Sequence, residues 1–185
     1  MKYSENVLKH PIFQAYISEI QQLEKDRIYC CHKLEHAIDV ARLAWIYYME
    51  DRFEEETQNV SGLQWKRPSY GEWMEEKETM KDLLYTAALL HDIGRVSQYR
   101  TGVHHSITGV PLAMQILQDI SVPEDWIKEI IDVVSEHSHG AVSEKKKNVE
   151  YYITKADHDC RLCFACEARE SCKWTEEEKN HVLPS

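Results

Sequence analysis

The sequence predicts an all-α chain, a bundle of six or seven helices around one core. Three observations carry this. Glycine and proline are scarce, six and five in 185 residues, which favours long helices over a turn-rich β fold. Apolar residues recur at helical spacing through several long stretches. No stretch alternates strictly enough to read as a strand, and no repeat or low-complexity tract is present.

The first helix is expected from near Pro11 to Lys25. Ile12, Ala15, Ile20 and Leu23 lie on one side, and a proline suits a first turn. A second helix covers residues 31–51, with Leu34, Ile38, Ala41, Leu43 and Trp45 as a broad apolar stripe, and is expected to be central. Residues 52–74 hold Gly62, Pro68, Gly71 and two tryptophans. They read as a loop or lid with a short helical piece, or equally as a plain surface excursion. A third helix runs from Glu75 to Ile93, stopped by Gly94. A fourth covers residues 104–120, with Pro111 either kinking it or marking its true first turn. The segment from Ser121 to Asp125 is a start signal, with a proline and then two acids, for a fifth helix that continues to His137. A sixth runs from Ser143 to Arg161, and a short polar helix closes the chain after Lys173.

Length fits one domain with a sizeable core. A hydrophobic content of 43%, with ten tyrosines and five tryptophans, sets the chain apart from disordered sequences. The net charge of −10 argues against nucleic acid and anionic membranes as partners. An acidic protein that handles phosphate then needs a local positive source, such as a metal ion. No run of 18 apolar residues spans a membrane. MKYSENVLKH has no apolar segment of a signal peptide. A cytoplasmic protein with reduced thiols is expected, and a homodimer stays open.

Ten histidines are many for this length, and eight fall between His32 and His158. His36 lies in HKLEHAIDVARLA, four residues after His32. Such a pair shares a helical face and can bind one metal, but Lys33 replaces the glutamate of the H-E-x-x-H motif. His36, embedded in the apolar face, is preferred. His91 and Asp92 close the apolar run LLYTAALLHDIG. A buried aspartate needs a cation partner, and the end of a helix favours one. His104 and His105 are adjacent, and His137 and His139 are two apart, so one of each pair can face a given site. Asp157 follows an apolar run, and Asp159 competes with it on another face. Singly, each residue reads as well as a surface or hydrogen-bonded core group. Together they place a histidine or aspartate beside apolar residues on five helices, as bundles do when they build metal sites.

The order and contexts resemble the HD superfamily of metal-dependent phosphohydrolases over residues 30–160. The pieces are EHAIDVARLA, AALLHDIGR, HSITGV, VSEHSHG and TKADHDCR. The family motif H…HD…D falls on His36, His91-Asp92 and Asp157, and it implies the HD-domain helical bundle. A histidine four residues before a glycine, His105 in HSITG, and another three before a glycine, His137 in HSHG, are similar to the dinuclear branch that includes bacterial diadenosine tetraphosphate hydrolases. The resemblance implies a metal set of His36, His91, Asp92, His105, His137 and Asp157. It also implies hydrolysis of a small phosphorylated substrate, a nucleotide or a relative, by metal-activated water. Four imidazoles and two carboxylates are too many for one tetrahedral ion. They suit one or two divalent ions of iron, manganese, nickel, cobalt or zinc. Two such ions against two aspartates leave a local charge of about +2. Asp92 is the candidate bridge, and Arg95, Lys33 and Lys155 are candidate phosphate contacts. Two alternatives stay open: a di-iron oxygenase of HD-like type, and a non-catalytic regulator.

The tail CRLCFACEARESCKW spaces Cys160, Cys163, Cys166 and Cys172 as C-x2-C-x2-C-x5-C. Four close thiols can bind zinc or an iron–sulfur cluster, or pair as disulfides. Cys30 and Cys31 precede the His36 helix and could approach the tail.

Overall fold

A computed structural model describes residues 1–59, 69–137 and 147–183, and among these the chain is all-helical. Eight α-helices follow in order: α1 (Lys2–Lys9), α2 (Pro11–Leu23), α3 (Leu34–Asn59), α4 (Tyr70–Leu90), α5 (Arg95–Thr101), α6 (His105–Asp119), α7 (Glu124–Glu136) and α8 (Val149–Asp159). Two 3-10 turns follow at Cys163–Ala165 and Arg169–Ser171. No described helix is long and apolar enough to cross a membrane.

The central helix is α4, not the one expected over 31–51. It packs against α1, α3, α7 and α8. Leu83, Leu84, Ala87, Ala88, Leu89 and Leu90 are all buried, as are Asp82 and Thr86, so the helix meets protein on every side. α3 lies against α4 and α8. It turns Ala37, Val40, Ala41 and Ala44 inward, while Leu34, Ile38, Leu43 and Trp45 are only partly buried. The small residues set the contact row, and the larger ones flank it.

α1 was not expected, because eight mostly polar residues are too few to hold a helix alone. A neighbour supplies the cap. The buried Asp82 carboxylate of α4 accepts from the Tyr3 amide (2.9 Å), the Ser4 amide (2.9 Å) and the Ser4 hydroxyl (2.7 Å). It satisfies free helix-start donors and sits at the positive end of the dipole. Asp82→Ala is expected to cost about 2–4 kcal/mol, because buried donors lose a charged acceptor. Urea unfolding with an unchanged m-value checks this.

The expected loop over 52–74 is largely helical at both ends. α3 continues to Asn59, and α4 starts at Tyr70 rather than Glu75. Ser69 forms a capping box: its hydroxyl accepts from the Glu72 amide (3.3 Å), and the Glu72 carboxylate accepts from the Ser69 amide (2.8 Å). Gly71 therefore lies in a first turn, not a loop. Residues 60–68, with Gly62 and Pro68, lie outside the described residues.

Pro111 lies inside α6 rather than in its first turn. Ser121 ends α6 instead of starting the next helix. Its φ is 55°, its amide donates to Gln118, and the Val122 amide donates to Leu117, both at 3.0 Å. This is a Schellman stop with serine where glycine is usual. α8 ends at Asp159, two residues early, and its expected start at Ser143 lies outside the described residues. No helix follows Lys173 among the described residues; turns and bends take its place.

Candidate metal centre

The six histidines and aspartates expected at the site all sit at helix ends, and the fold brings those ends together. His36 is in the first turn of α3, and His105 opens α6. His91 and Asp92 directly follow α4, His137 caps α7, and Asp157 is in the last turn of α8. Three helix C-termini thus converge, and their dipoles favour a cation.

Asp92 divides the cluster. Its Oδ2 lies 3.4 Å from His91 Nε2 and 3.9 Å from His36 Nε2. Its Oδ1 lies 3.3 Å from His105 Nε2 and 3.6 Å from His137 Nε2. Within each half the two imidazole nitrogens are 3.3 Å apart. Asp157 Oδ1 joins the first half, 3.2 Å from His36 Nε2 and 3.9 Å from His91 Nε2. His91, Asp92, His105 and His137 are all under 5% exposed. The Asp157 side chain, at 32%, marks the open side.

The far ring nitrogens are held as well. His91 Nδ1 meets the Ala88 carbonyl (2.6 Å), and His137 Nδ1 meets that of Val133 (2.9 Å). A carbonyl only accepts, so Nδ1 carries the proton and Nε2 offers a lone pair. His105 Nδ1 meets Gln98 Oε1 (2.9 Å), and His36 Nδ1 meets the Cys160 thiol (3.5 Å). Outer partners of this kind fix ring tautomer and direction in metal sites.

The electrostatics also call for a cation. Burial would raise both carboxylates. His91 and Arg95 instead hold Asp92 well below the usual range, and His36 and His91 lower Asp157. Burial opposes charge on His36, but Asp157 and Cys160 outweigh it and push its pKa up to about 11. Burial takes His105 down to about 3, leaving a neutral imidazole. Mixed imidazole and carboxylate donors fit a borderline divalent transition metal.

A family model for the HD domain matches residues 33–162. The chain belongs to the HD domain family. A Clostridium beijerinckii relative described as "Uncharacterized protein" is 30% identical over 177 residues, covering 96% of this chain and 95% of its own. No solved structure matches the chain. HD domain proteins are in general metal-dependent hydrolases. Neither match names a branch within the family, so neither places the chain among diadenosine tetraphosphate hydrolases.

Gly94 of the HDIG turn has a different task from the one expected. Its φ is −82°, so it is no left-handed helix stop. A Cβ there would stand 2.1 Å from the His105 carbonyl oxygen and 2.6 Å from the Gly109 amide nitrogen. The glycine lets the turn carrying Asp92 touch the turn carrying His105. Gly94→Ala must push α6 away, at about 1–3 kcal/mol. The expected result is selective loss of metal from the His105 half, read as metal per chain.

Other sequence candidates are placed as follows. Arg95 is an ion-pair partner of Asp92, Nε to Oδ1 2.8 Å, and its Nη1 reaches Gln98 (3.3 Å). Lys155 pairs with Asp159 (2.6 Å) over the Tyr47 ring. Lys33 is half-buried in the segment before α3. Of the adjacent histidines, His104 caps α6 and His105 faces the cluster. His139 lies outside the described residues. Cys160 stands apart as the His36 partner.

His32 and His36 were expected to share a helical face, with His36 preferred as the one embedded in the apolar side. α3 begins only at Leu34, so His32 is not on that helix. His32 sits ahead of the helix, its Nε2 4.0 Å from Asp92 Oδ2. Glu24, buried at the end of α2, accepts from the His32 amide (2.7 Å), meets its Nδ1 (2.6 Å) and accepts from the Tyr99 hydroxyl (2.6 Å). No sequence motif marks Glu24; only its position seven residues before Cys31 and the chain reversal bring it to His32.

Proposed function

We propose that this HD domain protein is a metal-dependent phosphohydrolase with a two-ion centre, cleaving a phosphate ester or anhydride of a nucleotide or similar small molecule. The division of Asp92 between two histidine pairs carries the reading. Asp92 Oδ2 faces His36 and His91, and Oδ1 faces His105 and His137, while Asp157 Oδ1 stands beside His36 and His91. Such an arrangement suits two ions about 3.5–4 Å apart. Bound there, divalent ions would supply an activated water and positive charge for the phosphoryl oxygens.

The chain's own groups do the rest. Arg95 holds Asp92 Oδ1 and keeps the carboxylate ionised, a positioning role in place of a phosphate contact. His36 and Asp157 form the open side, where the phosphate enters. His32, locked by Glu24 and Tyr99, aims Nε2 at the cluster and can give a proton to the departing oxygen. Tyr99 also borders a depression of about 410 Å³ lined by Gln22, Asp26, Arg27 and Tyr29. The Arg27 guanidinium lies about 6 Å from both the Tyr29 and Tyr99 ring centres. This wall, with two tyrosine rings and a guanidinium beside them, favours a nucleotide as the organic part.

The test is a hydrolysis screen on chelator-stripped protein, over nucleotides, dinucleoside polyphosphates and cyclic dinucleotides. Iron, manganese, nickel, cobalt or zinc is added back. Phosphate release that returns with metal supports the proposal. A fully loaded protein that hydrolyses none of them overturns it, and oxygen uptake by an iron-loaded sample points to the oxygenase instead.

A further inference from the structure

The tail after α8 has little core to order it. Among its described residues only Cys163, Ala168 and Lys179 are buried. So few buried groups do not offset the entropy of fixing the chain. Yet the segment is shaped into tight turns, closed by backbone hydrogen bonds at its cysteines. The Cys166 amide donates to the Cys163 carbonyl (3.4 Å), Arg169 donates to Cys166 (3.2 Å), and Cys172 donates to Arg169 (3.4 Å). Cys163, Cys166 and Cys172 therefore lie on successive turns.

The segment ahead of α3 comes to meet them. The Tyr29 hydroxyl reaches the Ser171 carbonyl (3.3 Å) and hydroxyl (3.4 Å). Arg27 Nε donates to the Cys30 carbonyl (2.7 Å), fixing the bend before that cysteine. Cys30 follows Tyr29 and Cys172 follows Ser171, so the Tyr29–Ser171 contact brings together the two chain segments that carry these cysteines. Burial raises the Cys30 thiol first, and the Cys163, Cys172 and Cys166 thiols raise it further, against Arg161. All six cysteines are free. Cys160 leaves the group, because its sulfur sits 3.5 Å from His36 Nδ1 and 3.2 Å from the Asp157 carbonyl.

We propose that Cys30, Cys163, Cys166 and Cys172 form a structural four-thiolate zinc site that staples the segment ahead of α3 to the tail. Four thiolates close a tetrahedral zinc site. Zinc has no redox chemistry, so it tolerates the surface position of Cys30, which is exposed. No three of the sulfurs stand within 4.8 Å of one another, so binding pulls the turns inward and couples the metal to tail order. The staple has consequences for the HD site. It holds the chain between Glu24 and His36, which carries His32, and it fixes the tail just beyond Cys160.

Metal and thiol analysis of the full chain, purified without oxygen, tests this independently of any activity. One zinc should remain in an Asp92→Asn variant, in which both halves of the HD centre are expected to be empty, and be absent when Cys163→Ser/Cys166→Ser is added to it. Cys30→Ser should weaken zinc binding at least tenfold, while Cys160→Ser leaves it unchanged. Cobalt in place of zinc should show sulfur-to-cobalt charge-transfer absorption in the wild type and lose it in Cys30→Ser. If the serine variants fail to fold, mercurial titration of the wild type still decides, with one zinc released as four thiols react. The proposal is overturned by no zinc in the Asp92→Asn protein, by a Cys30→Ser protein that binds as the wild type does, by iron with acid-labile sulfide in place of zinc, or by tail cysteines paired as disulfides.

Discussion

Asp92→Asn should lower kcat/KM for phosphate hydrolysis by at least about a thousandfold, or about 4 kcal/mol of transition-state stabilisation, and empty both halves of the centre together. The reason is the shared edge. Asp92 presents a different oxygen to each half, with Oδ2 toward His91 and Oδ1 toward His105. Asparagine keeps the shape but replaces one of these oxygens with a donor and removes the charge. In metal-free protein the fold should tolerate the exchange, so circular dichroism should be little changed. His105→Ala is the informative contrast: it touches one half only, and metal content should fall from two ions to one. If Asp92→Asn retains two ions and full hydrolysis, the shared-edge assignment is wrong.

The constellation at this site was legible because its signals are local. His91-Asp92 ends an apolar run, and His105, His137 and Asp157 each stand beside one, so helix periodicity places them near the core without knowledge of the fold. The helix limits were less legible where a distant residue decides them. α1 exists because Asp82, far along the chain, caps it. Gly94 reads as a stop from sequence, but its requirement comes from the backbone of α6 pressed against it. The tail cysteines were grouped by spacing, which gives no sign that Cys160 Sγ lies 3.5 Å from His36 Nδ1. Glu24 was missed, and His32 ranked behind His36, for the same reason. A buried carboxylate on one segment and a histidine on the next have no periodic signature, and the same-face argument assumed that α3 had already begun at His32.

His32 therefore gives the sharpest test of the chemistry beyond the metals. His32→Gln should reduce kcat by about 10²–10⁴-fold, the usual contribution of a positioned proton donor, with both ions retained. Retention is expected because, among the described residues, His32 joins none of the His and Asp groups tight enough to hold an ion. Loss of rate alone would also follow from a disturbed loop, so the leaving group must be varied. An alkoxide leaving group needs its proton, whereas a nitrophenolate does not. The defect should be large for alkyl or sugar phosphates and nearly vanish for nitrophenyl phosphate. Glu24→Gln should show the same dependence more weakly, because the imidazole remains but loses the carboxylate that fixes its Nδ1 (2.6 Å). A structural role for the pair would depress both substrates equally, and that result would remove His32 from the proton path while leaving the two-ion centre untouched.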